Sequence, residues 1–565
     1  MQKQEDLLTI SLEVSEEERK KSPDLQAGFS DDGELVELIV RYVGDISVIS
    51  SRYPEVEVTE LLSGYAIIIT PKQYVNAISS YENIEYVEKP KLLYFDLAVS
   101  KSASCINQLQ QGLNNPYKLT GSGTIVCIID SGIDLRNKEF TDEAGNTRII
   151  DIWDQTQDKF LSGDEVREYI NQLQSLPVNA VQQTAADTIG HGTSVARIAC
   201  GNNGVASSAD IIIVKMGFSR SSSFPRTTQL MQAIDYCIRK GIEYNKPIAI
   251  NISYGSNYGD HTGTSLLENY IDDVSNVWKS SICIGSGNEG NAATHTYGVL
   301  SDDTETEIEL AVSAYETSVN IQIWKDYADE FDVEIITPSG RNLGKIGGYN
   351  RLNRSVAENT TVLTYYGEPS PYSMSQEIYI DMIPVDNYIQ SGIWRIKLIP
   401  VDIKTGRFDM WLPAVGALNE GTGFTNPKEI LTITIPATSS NSITVGAYNA
   451  MTDTFAPFSG SGYVMETGAA IIVKPDLVAP GVGIKLDENT SVTGTSFAVP
   501  FVTGGAALLM EWGIVRNNDA YLYAEKLKAY LIKGARKLPG EPVPSDRTGW
   551  GALCVKNSIP CLLYT

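Results

Sequence analysis

Four short runs rich in β-branched residues recur along the chain: TIVCII at 124–129, DIIIVKM at 210–216, IAINIS at 248–253 and SICIG at 281–285. Each is too short for a helix and too uniformly apolar for a strand with one wet face, so each predicts a strand buried on both sides. Between the second and third, TQLMQAIDYCIRK at 228–240 has the pattern of an amphipathic helix. Buried strands separated by helices predict an α/β fold, a parallel sheet covered on both faces in a three-layer domain.

That rhythm stops between about 301 and 430. TEIELAVS at 306–313, SVNIQIW at 318–324, FDVEII at 331–336, QEIYIDMI at 376–383 and GIWRIKL at 392–398 alternate apolar and polar residues, and Pro338-Ser339-Gly340 marks a turn. No helical pattern intervenes, which predicts an antiparallel β-sandwich inserted into the α/β domain. The buried-strand style resumes at 430–435 and at SITVG, 442–446, and AEKLKAYLIKGA at 524–535 reads as a closing amphipathic helix. The front of the chain is a separate small α/β unit. ELVELIVRY at 34–42, GYAIIIT at 64–70 and IEYVE at 84–88 predict strands, and Tyr74, Ala77, Ile78 and Tyr81 share one face of a helix over 71–81. A chain of 565 residues has room for three or four folding units. We divide it into an N-terminal unit, 1–96, an α/β domain in two parts, 97–300 and 431–565, and the insert, 301–430.

Composition narrows the partners. Asp and Glu number 69 against 44 Lys and Arg, a formal charge of −25 that repels nucleic acid and anionic membranes. The charged start MQKQED leads into no apolar run, so no signal peptide is expected. Seven cysteines without a CxxC pair, beside three histidines, predict buried free thiols rather than a disulfide framework or a zinc site. These features suit a reducing compartment, the cytoplasm or the interior of a spore. Residues 489–510 carry no charge and could span a bilayer by length, but Gly494, Pro500, Gly504 and Gly505 favour a buried helix after a polar loop, and no membrane span is expected.

Three motifs carry chemistry. IIDSGID puts Asp130 at the end of an apolar strand, HGTSVA puts His191 at the start of a helix, and TGTSFAVP puts Ser496 on a glycine-rich turn before an apolar helix. In parallel α/β folds active groups gather at such strand ends and helix starts. A serine hydroxyl needs a base to become a nucleophile, imidazole has the right basicity, and a carboxylate fixes the imidazole tautomer. GSGNEG after another buried strand offers Asn288, whose amide with the Ser496 N–H would form an oxyanion hole. Taken singly, Asp130 reads as a turn residue, His191 as a helix-start residue and Ser496 as an N-cap; together they point to nucleophilic acyl transfer. His261 and His295 belong to no motif and are expected at the surface, while Cys127 and Cys200 read as core residues.

The motifs DSGID, HGTSVARIACG, NISYGS, GSGNEG and GTSFAVP, in that order, resemble those of the subtilisin-like serine proteases over about 97–300 and 431–550. The resemblance implies a catalytic triad of Asp130, His191 and Ser496 and an oxyanion donor, Asn288. It implies a substrate cleft with Ser253, Tyr254 and Gly255 on one edge, pairing with an extended peptide. Gly285, Ser286 and Gly287 would form the other wall, leaving a roomy pocket whose floor residue the sequence does not place. One departure is Ser194, which stands where the family's His motif usually carries a second histidine. No DxDxDG-like loop occurs, so no metal is expected, and no cofactor. The N-terminal unit, the β-rich insert and the ending RTGWGALCVKNSIP are similar to the clostridial germination (Csp-type) subtilases. That similarity implies a self-cleaved prodomain acting as an intramolecular chaperone and a rigidifying jelly-roll insert; the segment 92–105, which follows the compact N-terminal unit and contains small residues, is the expected place of the cut, near Tyr94–Ala98. It also implies activation of a spore cortex-lytic proenzyme during germination. The expected partners are a protein or peptide substrate and the chain's own prodomain. A catalytically silent binding or sensor protein on the same scaffold and a general intracellular peptidase are the competing readings.

Overall fold

The computed structural model describes residues 3–30, 32–91, 94–95, 103–110, 118–175, 183–217, 224–348, 352–466, 471–487 and 490–560. At its centre is a nine-stranded sheet. Its order runs Thr454–Phe455, Ile443–Asn449, Ser280–Gly285, Ile248–Ile252, Ile125–Asp130, Asp210–Lys215, Ile149–Asp154 and Lys159–Ser162, with Leu477–Pro480 alongside Ile443–Asn449. All pairings are parallel except at the two edges, Lys159–Ser162 and Thr454–Phe455. In Ile125–Asp130, Val126 and Ile128 join the core beneath the helices His191–Cys200 and Thr495–Met510. Ile125, Cys127 and Ile129 face the opposite core, under Thr227–Glu243 and Leu266–Val274. Both faces are therefore dry, which is why the strands read as continuous apolar runs. Thr495–Met510 is buried along its whole length, so a segment apolar enough to cross a bilayer is the core helix of this domain.

The N-terminal unit is an antiparallel sheet in the order Glu57–Leu61, Tyr65–Pro71, Leu35–Tyr42, Ile84–Glu88. Side chains alternate across it. Val36, Leu38, Val40, Ala66 and Ile68 fill the unit's own core, while Ile39, Tyr65, Ile67 and Tyr86 pack on the helices of the central domain. The three short helices that precede it, Asp6–Glu13, Glu16–Lys21 and Pro23–Gln26, have no counterpart in the sequence reading.

The insert comprises a six-stranded and a five-stranded antiparallel sheet, with strands from His295–Val299 to Gly423–Phe424. Their inward side chains, among them Trp394, Phe408 and Met410, form a separate core. Three expectations change here. Residues 430–435 form no strand of the central sheet; they cross its carboxyl edge as irregular chain, tied to it by a bridge between Ser256 and Ile435. His261 and His295 are buried, not on the surface, because the insert closes over them. Their rings both stack on Trp411, at 4.2 and 4.8 Å between centroids. Finally, Cys105 and Cys554 are joined by a disulfide across 449 residues, a pairing that their spacing gave no means of seeing. Cys127, Cys200, Cys237 and Cys283 are buried free thiols.

Candidate active site

The strands Ser280–Gly285, Ile248–Ile252 and Ile125–Asp130 lie side by side and parallel, so their carboxyl ends open onto one edge of the sheet. Asp130 is the last residue of one, and Ser253 and Ser286 directly follow the other two. The two helices that cover this face start at the same edge, with His191 first in one and Ser496 second in the other. Thus the alternation of strand and helix delivers residues far apart in sequence to one place.

His191 Nδ1 lies 2.7 Å from Asp130 Oδ1, both side chains being about 1% exposed. The same oxygen accepts the Ser131 N–H at 2.7 Å. A carboxylate fixed in this way holds Nδ1 as the protonated nitrogen and leaves Nε2 as the base. The imidazole stands 5.1 Å, centroid to centroid, from the ring of Phe497, the neighbour of Ser496. The Ser496 carbonyl in turn accepts from Ser253 Oγ at 3.3 Å, and Ser253 Oγ is held by Asn251 Nδ2 at 3.0 Å. Asn288 Oδ1 accepts the N–H of Thr495 at 3.1 Å and its hydroxyl at 3.3 Å. With the oxygen so engaged, the Nδ2 donor is the edge of the amide left for an incoming group. Ser194 donates to Gly190 O at 2.7 Å within the first helical turn and stays clear of the Asp130–His191 contact.

The cleft residues are placed on two opposed walls. Tyr254–Gly255 forms a short antiparallel ladder with Tyr94–Phe95, Tyr254 opposite Phe95 and Gly255 opposite Tyr94. The edge expected to bind an extended peptide is therefore occupied by the chain's own segment just after the N-terminal unit. Residues 96–98 of the expected cleavage stretch lie outside the described residues. On the other wall Gly285 approaches Thr495 and Val499 of the serine helix, and Ser286 Oγ meets Ser459 Oγ at 3.3 Å.

Two residues of the site escaped the sequence reading. Asp187 takes the Gly190 N–H at 2.9 Å, the Thr193 N–H at 2.8 Å and Ser131 Oγ at 2.9 Å. It caps the helix that begins with His191 and ties that helix to the Asp130 strand end. The signal was an Asp three residues before the glycine that precedes a helix. The second is Thr434, buried between the two walls at Gly255 and Gly287. This side chain lies against both glycines, and the 130-residue insert separates it in sequence from the wall motifs. Among the described residues no group of three or more His, Cys, Asp and Glu side chains is placed to hold a metal ion.

The Subtilase family profile matches residues 121–375 and 414–551, and the Csp protease B prodomain profile matches residues 2–91. The chain belongs to the subtilase family. The structure of the Clostridium perfringens CspB protease superposes with a TM-score of 0.73 at 36% identity, over 80% of this chain and 95% of that one. The PII-type proteinase of Lactococcus lactis subsp. cremoris is 24% identical over 487 residues, 75% of this chain and 24% of its own. Minor extracellular protease Vpr of Bacillus subtilis is 21% identical over 486 residues, 79% of this chain and 53% of its own. The chain thus spans about a quarter and about half of those two relatives. Subtilases are serine endopeptidases, and the N-terminal unit is a prodomain of the Csp type.

Proposed function

We propose that this chain hydrolyses peptide bonds with Asp130, His191 and Ser496 as its triad, after cutting off its own prodomain near Tyr94–Ala98. The observation that carries the reading is the 2.7 Å contact between Asp130 and His191 Nδ1 at the sheet edge where the Ser496 helix begins. In the reaction, His191 Nε2 takes the Ser496 proton as Oγ attacks the scissile carbonyl, and the imidazolium that forms is stabilised by Asp130. The carbonyl oxygen becomes an oxyanion, which receives the Asn288 Nδ2 and Ser496 N–H donors. His191 then protonates the leaving amine, and water releases the acyl group by the reverse sequence. The ladder between Tyr94–Phe95 and Tyr254–Gly255 supports self-processing, since it lays the prodomain's exit segment along the cleft as a substrate would lie. The Csp-type prodomain supports a role in activating a cortex-lytic proenzyme inside a germinating spore.

The test is a fluorophosphonate label followed by mass spectrometry. An adduct on Ser496, and a light fragment ending near residue 96 that vanishes in Ser496→Ala, are the expected outcomes. A folded chain that gives neither is the silent scaffold instead. The germination role is checked by adding the chain, beside Ser496→Ala, to spore extract and looking for a shortened cortex hydrolase with the active form alone.

A further inference from the structure

The two walls of the cleft each carry a glycine that faces the same side chain. A Cβ built on Gly255 would stand 2.6 Å from Thr434 Cβ, and one on Gly287, where φ is +87°, would stand 2.5 Å from Thr434 Cγ2. Real Cβ atoms do not come so close, so both walls are glycine because Thr434 occupies the space between them. Its position is fixed by backbone bonds on both sides. The Thr434 N–H donates to Ser286 O at 3.0 Å, the Ile435 N–H to Ser256 O at 2.7 Å, and the Ser256 N–H to Ile435 O at 2.9 Å. The segment is thus a cross-strap between the strand ends that bear Ser253 and Ser286. The threonine is 2% exposed, and its Oγ1 is buried with no hydrogen-bond partner among the described residues.

We propose that Thr434 is the residue that sets side-chain preference in this cleft. It closes the pocket between Gly255 and Gly287, so that the residue on the acyl side of the scissile bond must be short: Gly, Ala, Ser or Asp. Branched aliphatic, aromatic and long basic side chains are excluded by its methyl group. Its unpartnered hydroxyl offers a hydrogen bond to a short polar side chain, which makes up for the cost of burying that hydroxyl. The inference rests on the endopeptidase reading and adds the substrate class to it.

Cleavage bonds are mapped by mass spectrometry, on the chain itself and on unfolded casein added to it, for wild type, Thr434→Gly, Thr434→Ser and Thr434→Val. Wild type is expected to cut after short residues only. Phe placed before the chain's own processing bond is expected to slow processing by at least ~100-fold, the range by which a pocket rejects an oversized group. Thr434→Gly restores that cleavage and adds bonds after Phe and Leu in casein. Thr434→Ser does so in part, and Thr434→Val, which keeps the shape, leaves the exclusion in place while weakening cleavage after Ser and Asp. A processing bond after Leu97, equal wild-type cleavage after Ala and Phe, or an unchanged pattern in both Thr434→Gly and Thr434→Ser would overturn the proposal. No cleavage of either substrate, with no fluorophosphonate adduct on Ser496, refutes the endopeptidase reading beneath it and is recognised by the missing adduct.

Discussion

A methyl group at position 192 would stand 2.3 Å from the Gly132 carbonyl oxygen, 3.0 Å from Asp130 Cβ and 3.1 Å from its Oδ1. The glycine after His191 is therefore a condition of the Asp130–His191 contact, since any larger residue pushes the start of the His191 helix away from Gly132 and the Asp130 strand end. A displacement near 1 Å costs about 10²-fold in rate where geometry limits the reaction. Gly192→Ala is accordingly expected to lower kcat by about 10²-fold with the fold intact, and Asp130→Asn, which favours the wrong imidazole tautomer, by about 10⁴-fold. Both are measured as the rate at which the light fragment appears, with circular dichroism as the control on folding. Processing at the wild-type rate in Asp130→Asn would remove Asp130 from the mechanism. Such residues were legible in the sequence because chemistry fixes their types and spacing. Thr434 was not, since its role comes from contact with two glycines that neighbour it only after folding.

Elements of the domain are held at their ends as much as along their faces. Leu266–Val274 starts with a capping box in which Glu268 accepts from Ser265 Oγ at 2.8 Å and from the Ser265 N–H at 3.2 Å, and it also takes the Thr438 hydroxyl. The N-terminal unit completes this end, because Glu88 Oε1 accepts the Leu266 N–H at 2.7 Å. Glu268 is fully buried, and burial raises its pKa from 4.5 to about 7. A carboxyl whose folded pKa is raised contributes stability that is complete below pH 4.5 and is lost as pH climbs through 7. Wild type should therefore lose more stability than Glu268→Gln between pH 5 and pH 8, by up to a few kcal/mol. Denaturant midpoints at the two pH values check this, and parallel profiles would show that Glu268 does not titrate in the window. The sequence displayed elements whose own residues decide them, such as Ile125–Asp130 with no polar side until its last position. It hid those decided by neighbours. Glu16–Lys21 is six charged residues whose helix depends on the Ser15–Glu18 capping box, and Ile433 and Ile435 look like strand residues but fill the cores beside the cleft strap.

At the scale of the whole molecule the chain is closed on itself twice. Cys105 lies nine residues past the expected end of the prodomain, and its disulfide to Cys554 ties the segment after the prodomain to the far end of the central domain. A cross-link over 449 residues restricts the unfolded chain by an amount on the order of 5 kcal/mol. Cys554→Ser should lower Tm by several degrees, and maleimide should leave two cysteines unlabelled in the denatured wild type until reductant is added. The second closure is the prodomain itself. One side of its sheet rests on the central domain through Ile39, Tyr65, Ile67 and Tyr86. Its leading helices rest on the insert, where Leu7, Ile10, Val14 and Leu25 meet Leu363, Tyr365, Tyr379 and Ile383. Polar contacts follow the same seam, from Glu18 to Arg354 at 2.5 Å and from Lys21 to the Val385 carbonyl at 3.1 Å. Cutting the peptide bond near residue 96 removes none of these contacts, so the severed prodomain should stay bound and co-elute with the rest of the chain. Ile10→Ala strips a fully buried side chain from the contact with the insert and costs about 2–5 kcal/mol of that grip. The variant should therefore process normally yet release its light fragment at lower urea on size exclusion. Release at the same urea as wild type would mean that the contact with the central domain alone holds the prodomain, and that the insert does not share in retaining it.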